Sequence, residues 1–375
     1  MHSFFMQQAL QAARTALYVT SPNPRVGCVI VIDNTVVATG ATQPAGGAHA
    51  EVMALRAARQ AGYSLAQATV YVTLEPCSHY GRTPPCVQAL IQARPKAVVI
   101  AMADPNPQVA GQGIAALKQA GIEVLVGIEQ EAAFELNIGF VARMVRGRPW
   151  LWLKTASSLD GQTALTSGQS KWITGPEARQ DGQHFRARSC LVLTGIGTCL
   201  ADNPLLNVRD IPTSRQPIRA VVDSQLRISP DAALFNGDPV WVFTTQSNDQ
   251  LAAQLADKNA QLITLPATPD GQVDLVYLMH WLGKQQINEV HTEAGAQLNG
   301  ALWQAGQVDA ILSYIAPVIL GPGRPLMYLD PLPDLAHARR MEMVETQLVG
   351  ADVRVQMRHA QHWQQLYTQI QIEEQ

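Results

Sequence analysis

The chain has 375 residues and a formal net charge of −3, which gives no electrostatic reason to expect nucleic acid or an anionic membrane as a partner. With 47% hydrophobic residues, this length favours two domains that each bury a core, at roughly 100–200 residues per domain. Five cysteines argue against a disulfide framework, and no apolar run approaches the ~20 residues that span a bilayer, so we expect a soluble, cytoplasmic protein.

Strand and helix patterns alternate in the first part of the chain. The N-terminus predicts an amphipathic helix, because Gln7, Gln11 and Arg14 interrupt any apolar signal-peptide region. Two apolar runs on either side of Asp33-Asn34 predict a β-hairpin. The segments that follow predict parallel strands covered by helices. In order, they are the helix HAEVMALRAARQAG, the strand TVYVTL, the helix VQALIQA, the strand AVVIAM, the helix GIAALKQAG and the strand IEVLVG.

The basic segment RMVRGRPW, residues 143–150, contains Gly and Pro and predicts a domain boundary. It divides the chain into residues 1–146 and 147–375. The second part again predicts an α/β domain. Its predicted strands are WLWLKTA, CLVLT, IRAVVD, PVWVFTT, INEVHTE and AILSYIA, with helical segments such as PEARQDGQHFRARS and LVYLMHWLGKQQ between them.

Four residues of the first domain form an ordered set: His49 and Glu51 at a helix start, then Cys77 and Cys86 around a loop. One imidazole and two thiolates suit tetrahedral zinc with a fourth position open to water, whose pKa zinc lowers. Glu51, which is not a ligand, could then carry protons. We expect His49 and Cys77 to meet, because each lies at a strand–helix junction on the same end of a sheet. The set resembles the signature of zinc nucleobase deaminases.

Other interpretations of the two cysteines stay open. His79 could be a fourth ligand and close a purely structural zinc site. A disulfide is disfavoured in a cytoplasmic chain, and two unrelated buried thiols would not explain the nearby HAE. Eight residues separate the cysteines where the general deaminase signature has two, which predicts a second role for the loop, such as binding a substrate anion through His79 and Arg82.

Several longer segments narrow the resemblance. SPNPRVGCVIV, HAEVMAL, YVTLEPCSHYGRTPPC and DPNPQVAGQG together resemble the deaminase half of the bifunctional riboflavin-biosynthesis deaminase–reductases. KTASSLDGQTA, SGQSKWIT, LTGIGTCLADNPLLNVR, TEAGAQLNGALWQAGQVD and YIAPVILGPG resemble the reductase half. The resemblance implies a cytidine-deaminase-like α/β/α domain followed by a dihydrofolate-reductase-like α/β domain.

The resemblance also implies an activity. The first domain would hydrolytically deaminate 2,5-diamino-6-ribosylamino-4(3H)-pyrimidinone 5′-phosphate, with zinc held by His49, Cys77 and Cys86. Glu51 would take a proton from water and pass protons to the ring nitrogen and to the departing ammonia. Asn23 would contact the ring, although a plain turn asparagine is the alternative. His79 and Arg82 would contact the substrate, with solvated loop residues as the alternative.

The second domain would use NADPH to reduce the ribosyl group of 5-amino-6-(5-phosphoribosylamino)uracil to ribityl. The segment TGIGTCL has Leu200 where the dinucleotide fingerprint needs its third glycine, so that fingerprint fails. In TEAGAQLNGAL a predicted strand ends at Glu293 and a helix begins near Gly295, whose free N–H groups suit a pyrophosphate. An ordinary strand–helix turn would have the same pattern, and the resemblance favours the cofactor site.

Residue roles in the second domain follow from the resemblance alone. Asp202 would be the catalytic or orienting carboxylate, with an Asx-turn residue before Pro204 as the alternative. The cofactor side would consist of Ala156, Trp172, Thr198, Asp202, Ser224, Gly295, Ala296, Gln297, Leu298, Asn299, Gly300 and Ala301. The substrate side would consist of Ser170, Arg186, Leu206, Arg209 and Glu293. Arg186 and Arg209 would bind phosphate bidentately, unless they are solvated surface arginines.

Three functional hypotheses remain at this point. The first is the bifunctional enzyme, which acts on small pyrimidine ribosyl phosphates and could form a homo-oligomer. The second is a zinc deaminase whose reductase-like domain is degenerate and only positions substrate. The third is a non-enzymatic protein that has a structural zinc site and binds partners. Glu51 argues against this hypothesis, because a structural zinc site needs no adjacent carboxylate.

Overall fold

The structure is a computed structural model that describes residues 1–78, 85–106 and 109–371. These residues form two compact units, of which the first spans Met1–Gly147 and the second Arg148–Trp363. The division falls inside the predicted boundary segment, where Gly147 ends a helix with φ +68°. The residues from Gln364 on group with the first unit, where the rings of Tyr367 and Phe134 meet edge-on at 5.3 Å. No sequence pattern indicated that the C-terminal residues would belong to the first unit.

The first unit is a mixed sheet covered by helices, and the predicted elements up to 126 are all present. The sheet order is β2-β1-β3-β4-β5. The elements are α1 His2–Thr15, β1 Gly27–Ile32, β2 Thr35–Ala41, α2 Ala50–Gln60, β3 Thr69–Val72, α3 Cys86–Ala93, β4 Ala97–Ile100, α4 Gln112–Gln119, β5 Glu123–Val126, α5 Gln130–Leu136 and α6 Ile138–Arg146.

Strand directions in this sheet set the edge at which the site forms. The predicted hairpin joins β1 to β2, and its turn residues Asp33 and Asn34 both have positive φ, at +48° and +60°, as a tight hairpin turn requires. The predicted parallel pairing holds for β3, β4 and β5, whereas β1 runs antiparallel to both β2 and β3. The carboxyl ends of β2 and β3 therefore lie at one edge, on either side of β1.

Close packing of α2 on the hairpin fixes where that helix begins. A Cβ atom at Gly40 would lie 2.2 Å from the carbonyl oxygen of Ala50, so the backbones of β2 and α2 touch directly. The buried face of α2 consists of Ala50, Glu51, Ala54, Leu55 and Ala58. Small residues at this contact allow the first turn of α2 to sit at the edge defined by β2 and β3.

The second unit is built on a larger sheet. Within the described residues its order is β11-β10-β9-β8-β12-β6-β13-β16-β15, parallel from β11 to β13, with β16 and β15 antiparallel at one edge. The elements are β6 Trp150–Ser158, β7 Gln162–Leu165, α7 Pro176–Arg188, β8 Leu191–Gly195, α8 Ile196–Asp202, β9 Ile218–Val222, β10 Val240–Thr244, α9 Asp249–Ala256, β11 Ala260–Thr264, α10 Leu275–Lys284, β12 Glu289–Glu293, α11 Ala296–Gln304, β13 Ala310–Ala316, β14 Gly323–Pro325, β15 Glu342–Val349 and β16 Asp352–Arg358. The last helix, α12 Ala360–Gln369, begins in this unit, and its residues from Gln364 on belong to the first.

The six strands predicted in this half all form, and the parallel ones are buried on both faces. Leu151, Leu153, Leu191, Leu193 and Val290 from three neighbouring strands share one core cluster. Continuous apolar runs of this kind are expected where helices cover both sides of a parallel sheet. None of the helices in the described part of the chain combines the length and the apolar character that a membrane span needs.

Candidate functional site

The predicted metal ligands of the first unit lie together. His49 caps the N-terminus of α2, Cys77 follows β3, and Cys86 opens α3. The Nδ1 atom of His49 is 3.6 Å from the Sγ atom of Cys77 and 3.2 Å from that of Cys86. The three ligand atoms all lie within 4.8 Å of one another. The expectation that His49 and Cys77 meet at one sheet edge is therefore confirmed.

These separations fit one tetrahedral ion. Zinc binds sulfur at about 2.3 Å and histidine nitrogen at about 2.05 Å, which separates the two donor atoms by about 3.6 Å. The five cysteines of the chain are free thiols, so Cys77 and Cys86 do not form a disulfide in this structure. Cys28, Cys190 and Cys199 are buried.

Hydrogen bonds make the two thiols unequal. The pKa of Cys77 is lowered to about 4, because Cys86 donates its S–H to the Cys77 sulfur, His49 interacts with it, and the backbone N–H of Cys86 donates to it at 3.3 Å. The same shared proton raises the pKa of Cys86. The hydrogen bond to Cys77 also raises the pKa of His49. Negative charge is thus concentrated on the Cys77 sulfur. A soft divalent cation bound between the two sulfurs would replace the proton that they share.

Glu51 lies in the first turn of α2, two residues after His49, and only 3% of it is exposed. Burial raises its pKa to about 7, and the neighbouring Cys77 thiolate adds to the shift. Its carboxylate is not one of the three clustered ligands among the described residues. A buried carboxyl group that changes protonation near neutral pH, beside a metal site, is suited to moving protons.

The other residues predicted for this site remain predictions. Asn23 lies in the turn before β1, where its backbone N–H donates to the carbonyl of Thr20 at 2.8 Å. His79 and Arg82 lie outside the described residues, so neither their predicted substrate contacts nor the fourth-ligand alternative for His79 can be assigned to a position.

The second unit contains a cavity of about 1310 Å³ at the carboxyl ends of β6, β8, β9 and β12. Single small-molecule pockets measure roughly 300–1,000 Å³, so this cavity has room for two ligands. It brings together most of the residues predicted for the cofactor and the substrate. Those that line it are Ala156, Ser170, Thr198, Asp202, Ser224, Glu293, Gly295, Ala296, Gln297, Leu298, Asn299 and Ala301.

The predicted strand end at Glu293 and helix start near Gly295 are both present, and the start of α11 borders the cavity. Gly295 is the N-cap residue and no side chain caps the helix, which leaves the first N–H groups open to an anion. Asn299 has a structural role as well, because its amide donates to the carbonyls of Ala294 and Leu326 at 3.1 and 3.0 Å. Gly300 is not among the lining residues, and a Cβ atom there would lie 1.9 Å from the carbonyl oxygen of Tyr328, which does line the cavity.

Four more predicted residues are not among those that line the cavity: Trp172, Arg186, Leu206 and Arg209. Trp172 is 67% exposed, with the guanidinium of Arg179 above its ring at 4.4 Å. Leu206 is buried in a core cluster and has φ +55°. Arg209 is exposed and lies 3.8 Å from Asp210. The predicted roles of these residues stay predictions.

Arg186 forms a buried ion pair at the wall of the cavity. Its guanidinium donates to both carboxylate oxygens of Glu293, one of them at 2.9 Å, and to the carbonyl of Asn207 at 2.8 Å. Although burial alone would raise the pKa of Glu293, Arg186 holds it well below its usual range. The predicted phosphate contact of Arg186 is untested, and in this structure its donors hold Glu293 and the loop that follows α8.

Lys154 lines the same cavity and was missed by the sequence reasoning. Burial lowers the pKa of its ammonium group, Glu293 opposes the shift, and Arg186 adds to it. Its Nζ atom lies 5.8 Å from the centre of the Tyr314 ring. A charged residue in the middle of the apolar strand WLWLKTA was the available signal.

Comparison with protein families divides the chain in the same way. Residues 1–102 match the cytidine and deoxycytidylate deaminase zinc-binding region. Residues 149–355 match the RibD C-terminal domain.

Relatives match nearly the whole chain. It is 47% identical over 364 residues to the riboflavin biosynthesis protein RibD of Escherichia coli (strain K12), which covers 93% of this chain and 97% of that one. It is 43% identical over 373 residues to RibD of Haemophilus influenzae, covering 94% of this chain and 95% of the relative.

Solved structures agree with the fold of both units. Acinetobacter baumannii RibD, form 1, matches with a TM-score of 0.87 and 44% identity, over 95% of this chain and 98% of that one. A diaminohydroxyphosphoribosylaminopyrimidine deaminase/5-amino-6-(5-phosphoribosylamino)uracil reductase from Thermotoga maritima matches with a TM-score of 0.86 and 31% identity, over 96% and 98%. The predicted order, a deaminase domain followed by a reductase domain, is confirmed.

Proposed function

The chain belongs to the RibD family of bifunctional riboflavin-biosynthesis deaminase–reductases, and from that premise we propose how its residues divide the two reactions. Residues 1–146 deaminate 2,5-diamino-6-ribosylamino-4(3H)-pyrimidinone 5′-phosphate. Residues 147–375 reduce the ribosyl group of the product, 5-amino-6-(5-phosphoribosylamino)uracil, to ribityl. The observation that carries the proposal is the cluster of His49, Cys77 and Cys86 with Glu51 buried beside it.

The deaminase step follows from these four residues. His49, Cys77 and Cys86 hold zinc, which when bound acts as a Lewis acid and lowers the pKa of a coordinated water. Glu51 accepts a proton from the attacking water and delivers it to the ring nitrogen next to the reacting carbon. Glu51 then takes the second proton from the hydroxyl group now on the reacting carbon and passes it to the leaving amine. Water oxygen replaces the exocyclic nitrogen, which departs as ammonia, and Glu51 ends as it began.

The reductase step uses the cavity of the second unit. A nicotinamide cofactor supplies the hydride when bound, and the start of α11 is suited to its pyrophosphate. Arg186 fixes the Glu293 carboxylate in one orientation, so that it can accept hydrogen bonds from sugar hydroxyl groups. As C1′ of the ring-opened imine gains a hydride, the nitrogen must gain a proton. The Lys154 ammonium, with its lowered pKa, is suited to provide that proton or to hold the group that does.

The preserved cavity also supports an active reductase over the degenerate alternative. Its lining combines an uncapped helix start, a fixed carboxylate and a buried ammonium group. A domain that only positioned substrate would not need this combination. Asp202, which also lines the cavity, stays the predicted catalytic or orienting carboxylate. The cytoplasmic location and the homo-oligomer also stay predictions.

A coupled assay tests whether the first domain carries out the deamination and the second the reduction. Zinc-loaded protein, supplied with the aminopyrimidine substrate and NADPH, is expected to release ammonia and then to consume NADPH. Cys77→Ala, or removal of zinc by a chelator, is expected to abolish ammonia release, because the cluster loses a ligand or the ion itself. NADPH consumption with the deaminated intermediate supplied should persist. Cys190→Ser, at a buried thiol of the second unit, is the control and should retain both activities. Deamination by zinc-free protein would contradict the proposal.

We propose NADPH rather than NADH on the basis of Arg227. This arginine and Ser224 follow β9, two strands from β12 in the sheet and on the side away from Lys154. Its side chain is exposed, and its charge acts on the carboxylate of Asp223. The Ser224 hydroxyl accepts the Val273 N–H at 3.0 Å and keeps its own hydrogen for donation. A guanidinium and a hydroxyl donor suit the 2′-phosphate that distinguishes NADPH from NADH.

Arg227→Gln is therefore expected to lower the preference for NADPH over NADH by roughly tenfold or more, the equivalent of one charge-assisted contact at about 1.5–3 kcal/mol. The change should appear in KM for NADPH, with KM for NADH nearly unaltered. Arg324→Gln is the matched control, because Arg324 is an exposed arginine that lines the same cavity near Gly168. Equal effects on both cofactors would contradict this role for Arg227.

A further inference from the structure

Glu75 is a buried carboxylate, 3% exposed, that lies two residues before the metal ligand Cys77. Neither reaction described above uses it. Both of its oxygens are fully occupied by backbone N–H groups of the segment 104–114. The donors are Asp104 at 3.1 Å and Gly111 at 3.0 Å to Oε2, and Gly113 at 2.8 Å and Ile114 at 3.2 Å to Oε1.

These donors include the open end of a helix. Gly113 and Ile114 lie in the first turn of α4, whose own N-cap residue, Gly111, has no side chain. The first N–H groups of a helix have no partner within it and favour a negative charge. The Glu75 carboxylate therefore caps α4 from a distant point of the sequence, through charge-assisted hydrogen bonds.

Close packing joins the same helix end to the peptide that leads into Cys77. A Cβ atom at Gly113 would lie 2.2 Å from the carbonyl oxygen of Pro76, so only glycine fits there. On the other side of this peptide, the N–H of Glu75 donates to the carbonyl of Met102 at 2.9 Å. The carbonyl of Cys77 accepts the N–H of Val87 at 3.2 Å. Hydrogen bonds and close packing thus fix the backbone on both sides of Cys77. On the side before Cys77, most of these contacts involve Glu75.

We propose that Glu75 is a positioning residue that sets the place of Cys77 in the metal site by locking residues 75–77 to the start of α4. The inference rests on the proposed zinc deaminase function. A metal site tolerates displacements of only about 0.2 Å in its donor atoms. Cys86 opens α3 and His49 is the N-cap residue of α2, whereas Cys77 lies in the loop that follows β3. The carboxylate of Glu75 supports this loop.

Glu75→Gln tests the proposal, because the amide keeps the shape of the side chain but turns an NH2 group toward two N–H donors. We expect the dissociation constant for zinc, measured by chelator competition, to rise by about 10- to 100-fold, as for other residues that orient metal ligands. The visible absorption spectrum of the cobalt-substituted protein should also change, because it reports the geometry of the thiolate ligands. Glu75→Asp keeps the charge with a shorter reach and should lie between the wild type and Glu75→Gln on both measurements.

Asn137→Ala is the matched control in the same unit. Asn137 is also buried, at 1% exposure, and bonds to backbone groups of Arg25 and Ala133 but not to residues 75–77. The Asn137→Ala substitution should lower the melting temperature and leave the absorption spectrum of the cobalt-substituted protein and the zinc affinity unchanged. If Glu75→Gln, or Glu75→Asp should the first variant not fold, behaves like this control, Glu75 is merely structural and the inference is overturned. If the wild-type protein binds neither zinc nor cobalt through its cysteines, the proposed function itself fails instead.

Discussion

Glu51→Gln is expected to stop ammonia release while the protein keeps its zinc. The amide has the same shape but cannot accept and return a proton, and positioned acid–base groups contribute roughly 10²–10⁴-fold to a rate. The three clustered ligands are unchanged, so zinc should bind in stoichiometric amount. Ammonia release from the aminopyrimidine substrate and the zinc content of the purified variant are the two measurements.

The reductase activity gives this experiment an internal reference. NADPH consumption with the deaminated intermediate supplied should match the wild type, which shows that the variant is folded and that only the first reaction has failed. Glu123→Gln is the matched control, since Glu123 is an exposed carboxylate of the same unit on β5. Full ammonia release by Glu51→Gln would refute its role as proton carrier. Loss of zinc would instead show that Glu51 supports the ligands.

The strands that the sequence predicted are those with strong local signals. Runs such as CLVLT and AVVIAM are buried on both faces in parallel sheets, and their composition follows directly from that position. The strand β15 was not predicted, because it is exposed along nearly its whole length and carries no apolar run or regular alternation. The helices α5 and α6 follow one another through Asn137 without a Gly or Pro between them, so no stop signal marked the break.

The metal site was predictable to a degree that the reductase site was not. His49, Glu51, Cys77 and Cys86 are all brought to one edge of the sheet at the ends of β2 and β3, on either side of β1, and their types alone suggest the chemistry. Lys154, Arg186 and Glu293 come from β6, α7 and β12. Arg186 and Glu293 are more than a hundred residues apart in the sequence. Only the tertiary structure shows that these charges meet. For the same reason, the sequence could not indicate that Glu75 caps α4.

Of the carboxylates that line the reductase cavity, Glu293 and Asp202 were predicted as site residues, and their environments predict unequal roles. Glu293 has 17% of its side chain exposed and binds Arg186 bidentately. Asp202 has 33% exposed and lies 3.6 Å from the ammonium group of Lys171, which is itself 52% exposed. An ion pair between exposed side chains contributes little, whereas a buried pair fixes its members in place.

Glu293→Gln is therefore expected to lower the rate of NADPH consumption by roughly 10²–10⁴-fold, with the deaminated intermediate supplied, and Asp202→Asn by less. Ammonia release should be unchanged in both variants, because both residues belong to the second unit. Glu293→Gln also leaves the charges of Arg186 and Lys154 without their counter-charge. Removing one partner of a buried ion pair lowers the free energy of unfolding by about 3–5 kcal/mol. Thermal unfolding followed with NADPH present and absent separates that cost from the loss of activity. A variant that remains folded at the assay temperature but has lost reduction would support a direct role for Glu293. If Asp202→Asn were instead the more damaging change, the reacting sugar would have to lie beside Asp202 rather than against β12, and Asp202 would be the catalytic or orienting carboxylate that the family resemblance implies.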